Sequence, residues 1–158
     1  MTVCKTDQMR EAIAAGKRLM GLDVGKKTIG LATCDAGWRV ATPHSILWRR
    51  KFGLDMAELE RIISAEGDIG GLVVGWPVEM NGSEGSRCDS VRDFTHAMLR
   101  WRREADCPAL PVTFYDERLS TQAAERAMLE ADMTRNRRAQ KRDALAAAWI
   151  LQGFIDGV

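Results

Sequence analysis

Several carboxylates sit where burial is costly unless a cation, a metal or hydrogen-bond donors meet them. Asp23 lies inside the apolar run that leads into the turn Gly25-Lys26-Lys27. Asp116 and Glu117 close the strand-like run Pro111 to Tyr115. Asp143 precedes Ala-Leu-Ala-Ala-Ala-Trp-Ile-Leu, and the helix formers before it (Arg137, Arg138, Gln140, Lys141, Arg142) place it within a helix. Each acid also has a plainer reading: Asp23 as a cap on the Gly25 amide, Asp116 or Glu117 as a salt-bridge partner of Arg118, Asp143 as a helix N-cap. Ser120 and Thr121 are the better caps for the segment after Glu117, which frees both acids there. Two strand ends and one helix could therefore bring three acids to a divalent metal. Magnesium takes one or two protein carboxylates and completes its shell with water and phosphate oxygens. Two such ions about 4 Å apart activate a water and stabilise the leaving oxygen in phosphodiester cleavage. The chemistry these residues suggest is Mg2+- or Mn2+-dependent phosphodiester hydrolysis.

Cations stand beside the acids. Arg135, Arg137, Arg138, Lys141 and Arg142 place five positive charges in eight residues with no acid among them. Such a cluster neutralises phosphates, and cations are unfavourable at a helix start without an anion nearby. Lys26 and Lys27, in the turn after Asp23, are further candidate phosphate contacts. Trp48-Arg49-Arg50-Lys51 and Arg100-Trp101-Arg102-Arg103 interleave aromatics with cations. Both tryptophans read as core residues, with base stacking the alternative for Trp48. His44 and His96 read as structural. Bulk charge adds nothing: residues 1–79 hold 11 basic and 10 acidic side chains, residues 80–158 hold 12 and 12, and the sum is +1.

The elements that must position these groups follow from periodicity. A chain of 158 residues, 46% apolar, is one domain with a core of its own. Residues 7–16 read as a short amphipathic helix in an extension (1–17) outside the core fold. Lys17 to Val24 and Thr28 to Cys34 form a hairpin across the tight turn. A third strand covers Trp38 to Trp48, with Pro43 marking it as an edge. A helix spans Asp55 to Ala65. Gly70 to Gly75 is a strand buried on both faces. A loop covers Trp76 to Ser86, and Val91, Phe94, Met98 and Trp101 stripe the next helix. A strand at Pro111 to Tyr115 is followed by helices at Thr121 to Ala131 and Arg137 to Ile155. Three antiparallel strands followed by alternating helices and strands make an α/β fold, a mixed sheet with helices on both faces. The four cysteines form no C-x-x-C pair, and the N-terminus has no apolar signal region. No apolar run approaches the roughly 18 residues of a membrane span. A reduced, cytoplasmic protein with no membrane partner is expected.

Four motifs in order resemble the YqgF/RuvX family: Gly21-Leu22-Asp23-Val24-Gly25-Lys26-Lys27-Thr28-Ile29-Gly30; Val73-Val74-Gly75-Trp76-Pro77 with Asn81-Gly82-Ser83-Glu84-Gly85; Asp116-Glu117-Arg118-Leu119-Ser120-Thr121; and Lys141-Arg142-Asp143 with Ala146-Ala147 and Ile150-Leu151-Gln152. The resemblance runs from about Arg18 to Asp156. It implies a single RNase H-like domain over 18–158 with a five-stranded mixed sheet of order 3-2-1-4-5. It implies catalytic, metal-holding acids at Asp23, Glu117 and Asp143. In that order the fifth strand lies two places from the first, near 10 Å between axes, so Glu117 must lean inward to share a metal with Asp23. Lys26, Trp76 and Asn81 depart from the family's usual residues, and Ala146 stands where related resolvases often carry a fourth acid. Members of the family are regarded as nucleases for the 5′ end of precursor 16S rRNA, and some as Holliday junction resolvases. The expected partner is structured nucleic acid, with pre-16S rRNA favoured over a four-way DNA junction. The alternatives are a junction resolvase or a non-catalytic RNA-binding module, and both monomer and homodimer remain open.

Overall fold

The computed structural model describes residues 3–78, 82–116 and 135–158, with the side chains of 135–143 outside the description. A 3-10 turn (Thr6–Gln8) and a one-turn helix α1 (Met9–Ala12) lead into β1 (Arg18–Val24), β2 (Thr28–Cys34) and β3 (Ala41–Trp48). Then come α2 (Phe52–Glu66), β4 (Ile69–Trp76), α3 (Ser86–Glu104), β5 (Val112–Asp116) and α4 (Arg135–Asp156). The expected helix at Thr121 to Ala131 lies outside the described residues. The strands form one sheet of order β3-β2-β1-β4-β5, with β1–β2 and β2–β3 antiparallel and β1–β4 and β4–β5 parallel. This is the expected mixed sheet.

Alternation along the strands divides the core in two. Met20, Leu22 and Val24 of β1 join Leu72 and Val74 of β4 beneath α2 and α3. Leu19, Val73, Ala147, Leu151 and Phe154 form the second cluster, on the face that α4 covers. Pro43 sits in β3, the edge strand, where the ladder to β2 shifts register between Leu31 and Ala32. An edge tolerates a residue without an N–H.

Two expectations change. The segment 7–16, expected outside the core, supplies Met9 and Ile13 to the α4-side cluster, and Met9 is fully buried. It is helical for one turn only, and the Cys4 amide donates to the Val112 carbonyl at 2.7 Å, pinning the segment along β5. Trp48, expected in the core, is 68% exposed. It pairs with Thr28 at the end of the outermost ladder, and the chain leaves the sheet directly after it. Trp101 packs against the α2/α3-side cluster as expected. No helix among the described residues is long and apolar enough to cross a membrane.

Ion pairs tie the helices to the strands. Arg102, buried in α3, pairs with Glu60 of α2 and donates to the Pro108 carbonyl at 2.9 Å. At the start of β1, Arg18 donates to Asp68 at 2.5 Å and to Glu66 at 2.8 Å, fixing β1 against the α2–β4 junction. Its guanidinium holds both carboxyls below their usual range. A depressed folded pKa contributes stability that is complete above the unfolded value, about 4, and is lost as pH falls through the lowered folded values. Arg18→Ala is therefore expected to cost about 1 kcal/mol at pH 7, since the cluster is only part-buried, and less near pH 3. Urea denaturation of both proteins at the two pH values checks this.

Candidate active site and nucleic-acid interface

The carboxyl ends of β1, β4 and β5 open on one edge of the sheet, where parallel strands commonly build their sites. Asp23 stands at that edge, half-buried, one residue before the end of β1. It shares a face with Leu19 and Gly21, so it lies on the side covered by α4. Gly21 is in contact with that helix: a Cβ there would stand 2.9 Å from the Ala147 carbonyl oxygen and 2.9 Å from Leu151 Cβ. Asp23 pairs with Gly30 across the hairpin. The register Leu22↔Val74 puts Gly75 beside it on β4. A carboxylate between two glycines has no neighbouring strand side chain to crowd it on that face.

The plain reading of Asp23 as a cap on Gly25 does not hold. The Gly25 amide donates to the Thr28 carbonyl at 2.9 Å, which closes the turn. The choice between Asp116 and Glu117 also sharpens. Asp116 pairs with Trp76 at the end of β5. Trp76 and Phe114 belong to the α2/α3 side, whereas Tyr115 packs on the α4-side cluster. By alternation Asp116 stands on the sheet face opposite to Asp23. Glu117 lies outside the described residues.

Asp143 lies in α4, one turn before Ala147, and its backbone is helical as expected. It is therefore within the helix and not its cap. Arg135, Arg137, Arg138, Lys141 and Arg142 occupy the first eight residues of the same helix. The side chains of all six lie outside the description. Lys26 and Lys27 are exposed in the β1–β2 turn. Among the described residues no three His, Cys, Asp or Glu side chains gather closely enough to hold a metal. Of the three expected acids, Asp23 alone has a described side chain. Its donor is a hard carboxylate oxygen, the type that suits magnesium or manganese.

Two cations beside the same turn, Arg49 and Arg50 after β3, stand in the Trp48–Lys51 run that the sequence marked without assigning them a role, whereas Arg87 at the start of α3 was passed over. The signal that could have found them is the one that marks Arg135–Arg142, namely positive charge at a helix N-terminus. Arg49, Arg50 and Lys51 immediately precede α2, and Arg87 is the second residue of α3.

Comparison with solved structures gives the fold. The chain is similar to Thermus thermophilus RuvC in complex with a Holliday junction substrate, with a TM-score of 0.56, 18% identity, and coverage of 89% of this chain and 95% of that one. It is similar to the yeast mitochondrial Holliday junction resolvase Ydc2 at a TM-score of 0.50 and 11% identity, covering 95% of this chain and 82% of that one. At these identities the likeness establishes an RNase H-like architecture. Sequence relatives are nearer. A Paramagnetospirillum magneticum protein named "Putative pre-16S rRNA nuclease" is 44% identical over 99% of this chain and 96% of its own length. A Roseobacter denitrificans protein of the same name is 50% identical over 93% of this chain and 87% of its own. Residues 17–157 match the model of the family described as RuvX, Holliday junction resolvase. With that match over nearly its full length, and relatives this similar along theirs, the chain belongs to the RuvX family.

Proposed function

We propose that the protein is a metal-dependent endonuclease that processes the 5′ end of precursor 16S rRNA. The observation that carries this is the setting of Asp23: a half-buried carboxylate at the C-terminal end of a parallel strand, between Gly30 and Gly75, on the face that α4 covers. The names of the relatives, pre-16S rRNA nucleases, favour RNA as the substrate.

The acids proposed to hold the metal are Asp23, Glu117 and Asp143. Glu117 is preferred to Asp116 because Asp116 stands on the far face of the sheet. Asp143 is one turn from the Ala147 carbonyl that meets Gly21, two residues before Asp23. A bound Mg2+ or Mn2+ would supply an activated water and a counter-charge for the leaving oxygen. The chain's own cations do the remaining work. Lys26 and Lys27 are proposed to bind phosphates next to the scissile bond, and Arg135, Arg137, Arg138, Lys141 and Arg142 phosphates farther along the strand. The catalytic unit is residues 18–158, with residues 1–17 as an extension packed against it.

The test compares two substrates. Purified protein with Mg2+ or Mn2+ is expected to cut an RNA spanning the 5′ end of 16S and to leave a four-way DNA junction intact. Paired symmetric cuts in the junction, with the RNA untouched, would transfer the protein to the resolvase reading. Binding of the RNA without metal-dependent turnover would leave a binding module.

A further inference from the structure

Across the β1–β2 turn from Asp23, an open cleft of about 650 Å³ is floored by Val24 and Val91 and walled by Lys26, Arg49, Arg50 and Arg87. Three separate parts of the chain bring these cations together: the β1–β2 turn, the β3–α2 junction and the first turn of α3. Arg49 is a fixed strut. Its Nη1 donates to the Gly25 carbonyl at 2.7 Å, its amide donates to the Lys27 carbonyl at 2.8 Å, and its guanidinium lies 5.2 Å from the Phe94 ring centre. Lys26, Arg50 and Arg87 are exposed, and none forms an ion pair with a described residue. Glu58, within electrostatic reach of Arg50, is committed to Arg61 at 2.5 Å. Asp55 accepts the Arg50 backbone amide at 2.9 Å, so it serves the chain turn.

Cations beside the N-termini of α2 and α3 repel those helix dipoles. An anion in the cleft relieves that repulsion and is itself attracted to both helix ends. The cleft is too large and too open for one phosphate, and its cations come from three directions. Trp48, 68% exposed, immediately precedes Arg49, and by alternation from Leu47 it stands on the Asp23 side of the sheet, across the strand ends from the cleft. Aromatic faces beside a cationic groove are how single-stranded nucleic acids are held without sequence readout.

We propose that this cleft binds the backbone phosphates of a single-stranded stretch of the nucleic acid, that the strand passes over the Gly25 turn to Asp23, and that Trp48, on the Asp23 side of the sheet, stacks on one of its unpaired bases there. The proposal rests on the nuclease reading for its purpose but not for its affinity. Lys26, Arg50 and Arg87 contact phosphates, and Arg49 holds the turn in place.

The experiment measures binding of a labelled single-stranded RNA 12-mer and of a blunt RNA duplex, in EDTA so that nothing is cut. Wild type is expected to prefer the single strand. Arg50→Ala/Arg87→Ala should weaken single-strand binding roughly 10-fold or more and reduce the salt slope by about 1.4, at about 0.7 for each phosphate deprived of its cation. Arg100→Ala/Arg103→Ala removes equal charge from exposed positions at the far end of α3 and should change affinity less than about twofold. Trp48→Ala should weaken binding about 5- to 10-fold with the salt slope unchanged. Equal losses in the two arginine pairs, or equal binding of duplex and single strand with no effect of Trp48→Ala, would overturn the proposal. A wild type that shows this binding pattern but never cuts RNA with Mg2+ would sink the nuclease reading and leave the cleft assignment standing. A cutting enzyme indifferent to Arg50→Ala/Arg87→Ala would do the reverse. The altered side chains are exposed, and an unchanged Tm confirms that the fold is kept.

Discussion

Asp23→Asn is expected to remove cleavage by about 10³-fold or more while leaving RNA affinity in EDTA within about twofold of wild type. The substitution keeps the shape of the side chain and removes its charge. A neutral amide is a poor partner for a hard divalent ion, and the charge stabilisation supplied by such an ion is worth several kcal/mol. About 4 kcal/mol corresponds to the stated loss at 1.36 kcal/mol per tenfold. The Gly25 amide keeps its partner in the variant, because it donates to the Thr28 carbonyl. The measurement pairs single-turnover cleavage with an anisotropy titration and a thermal melt. Wild-type cleavage by the variant would assign the activity to a contaminant and remove Asp23 from the chemistry. A collapse in Tm would make Asp23 a structural residue.

The location of Asp23 was legible in the sequence because its signals are local. Two apolar runs joined by Gly25-Lys26-Lys27 admit a hairpin and little else, and alternation then puts Asp23 on the face of Leu19 and Gly21. The run Gly70 to Gly75 is apolar on both faces because helices cover both, and it is the central parallel strand β4. Pro43 correctly marked an edge. What was not legible depended on distant partners. Met9 and Ile13 look like the apolar side of an isolated short helix, yet they fill space that Gly70 and Gly71 leave open: a Cβ on Gly71 would come within 2.5 Å of Ile13 Cδ1. Nothing within residues 1–17 announces those glycines. Trp48 has the composition of a core residue, and it is exposed because the sheet ends beside it. The face of Asp116 follows from alternation only once Phe114 and Tyr115 are assigned to opposite layers. That assignment comes from Trp76 and Gly153, which are 38 residues to either side of it. The cationic cleft joins three segments, of which only the one after β3 has a visible charge run.

Gly21→Val separates the placing of Asp23 from its chemistry, and its expected effect on turnover is about 10²-fold. Valine suits a strand better than glycine, so the backbone itself favours the change. Any loss must come from the contact with α4, where even a Cβ meets the Ala147 carbonyl oxygen and Leu151 Cβ at 2.9 Å. Ala147 contributes backbone there and cannot rotate away, so helix and strand must separate. Overpacking of this kind costs about 2 kcal/mol, which for a domain of this size lowers Tm by roughly 4–8 °C. Separation moves the α4 backbone at Asp143, the proposed second metal ligand, away from Asp23, and a misplacement of about 1 Å in a reacting site is worth about 10² in rate. RNA affinity in EDTA should stay within about threefold, because the cleft cations lie on the other side of the turn. Gly21→Ala should fall between wild type and Gly21→Val in both Tm and rate. If Gly21→Val loses stability but cleaves at the wild-type rate, α4 need not sit against β1 for chemistry. Asp143 would then have no part in the site, and the metal would have to rest on acids from the strand ends alone.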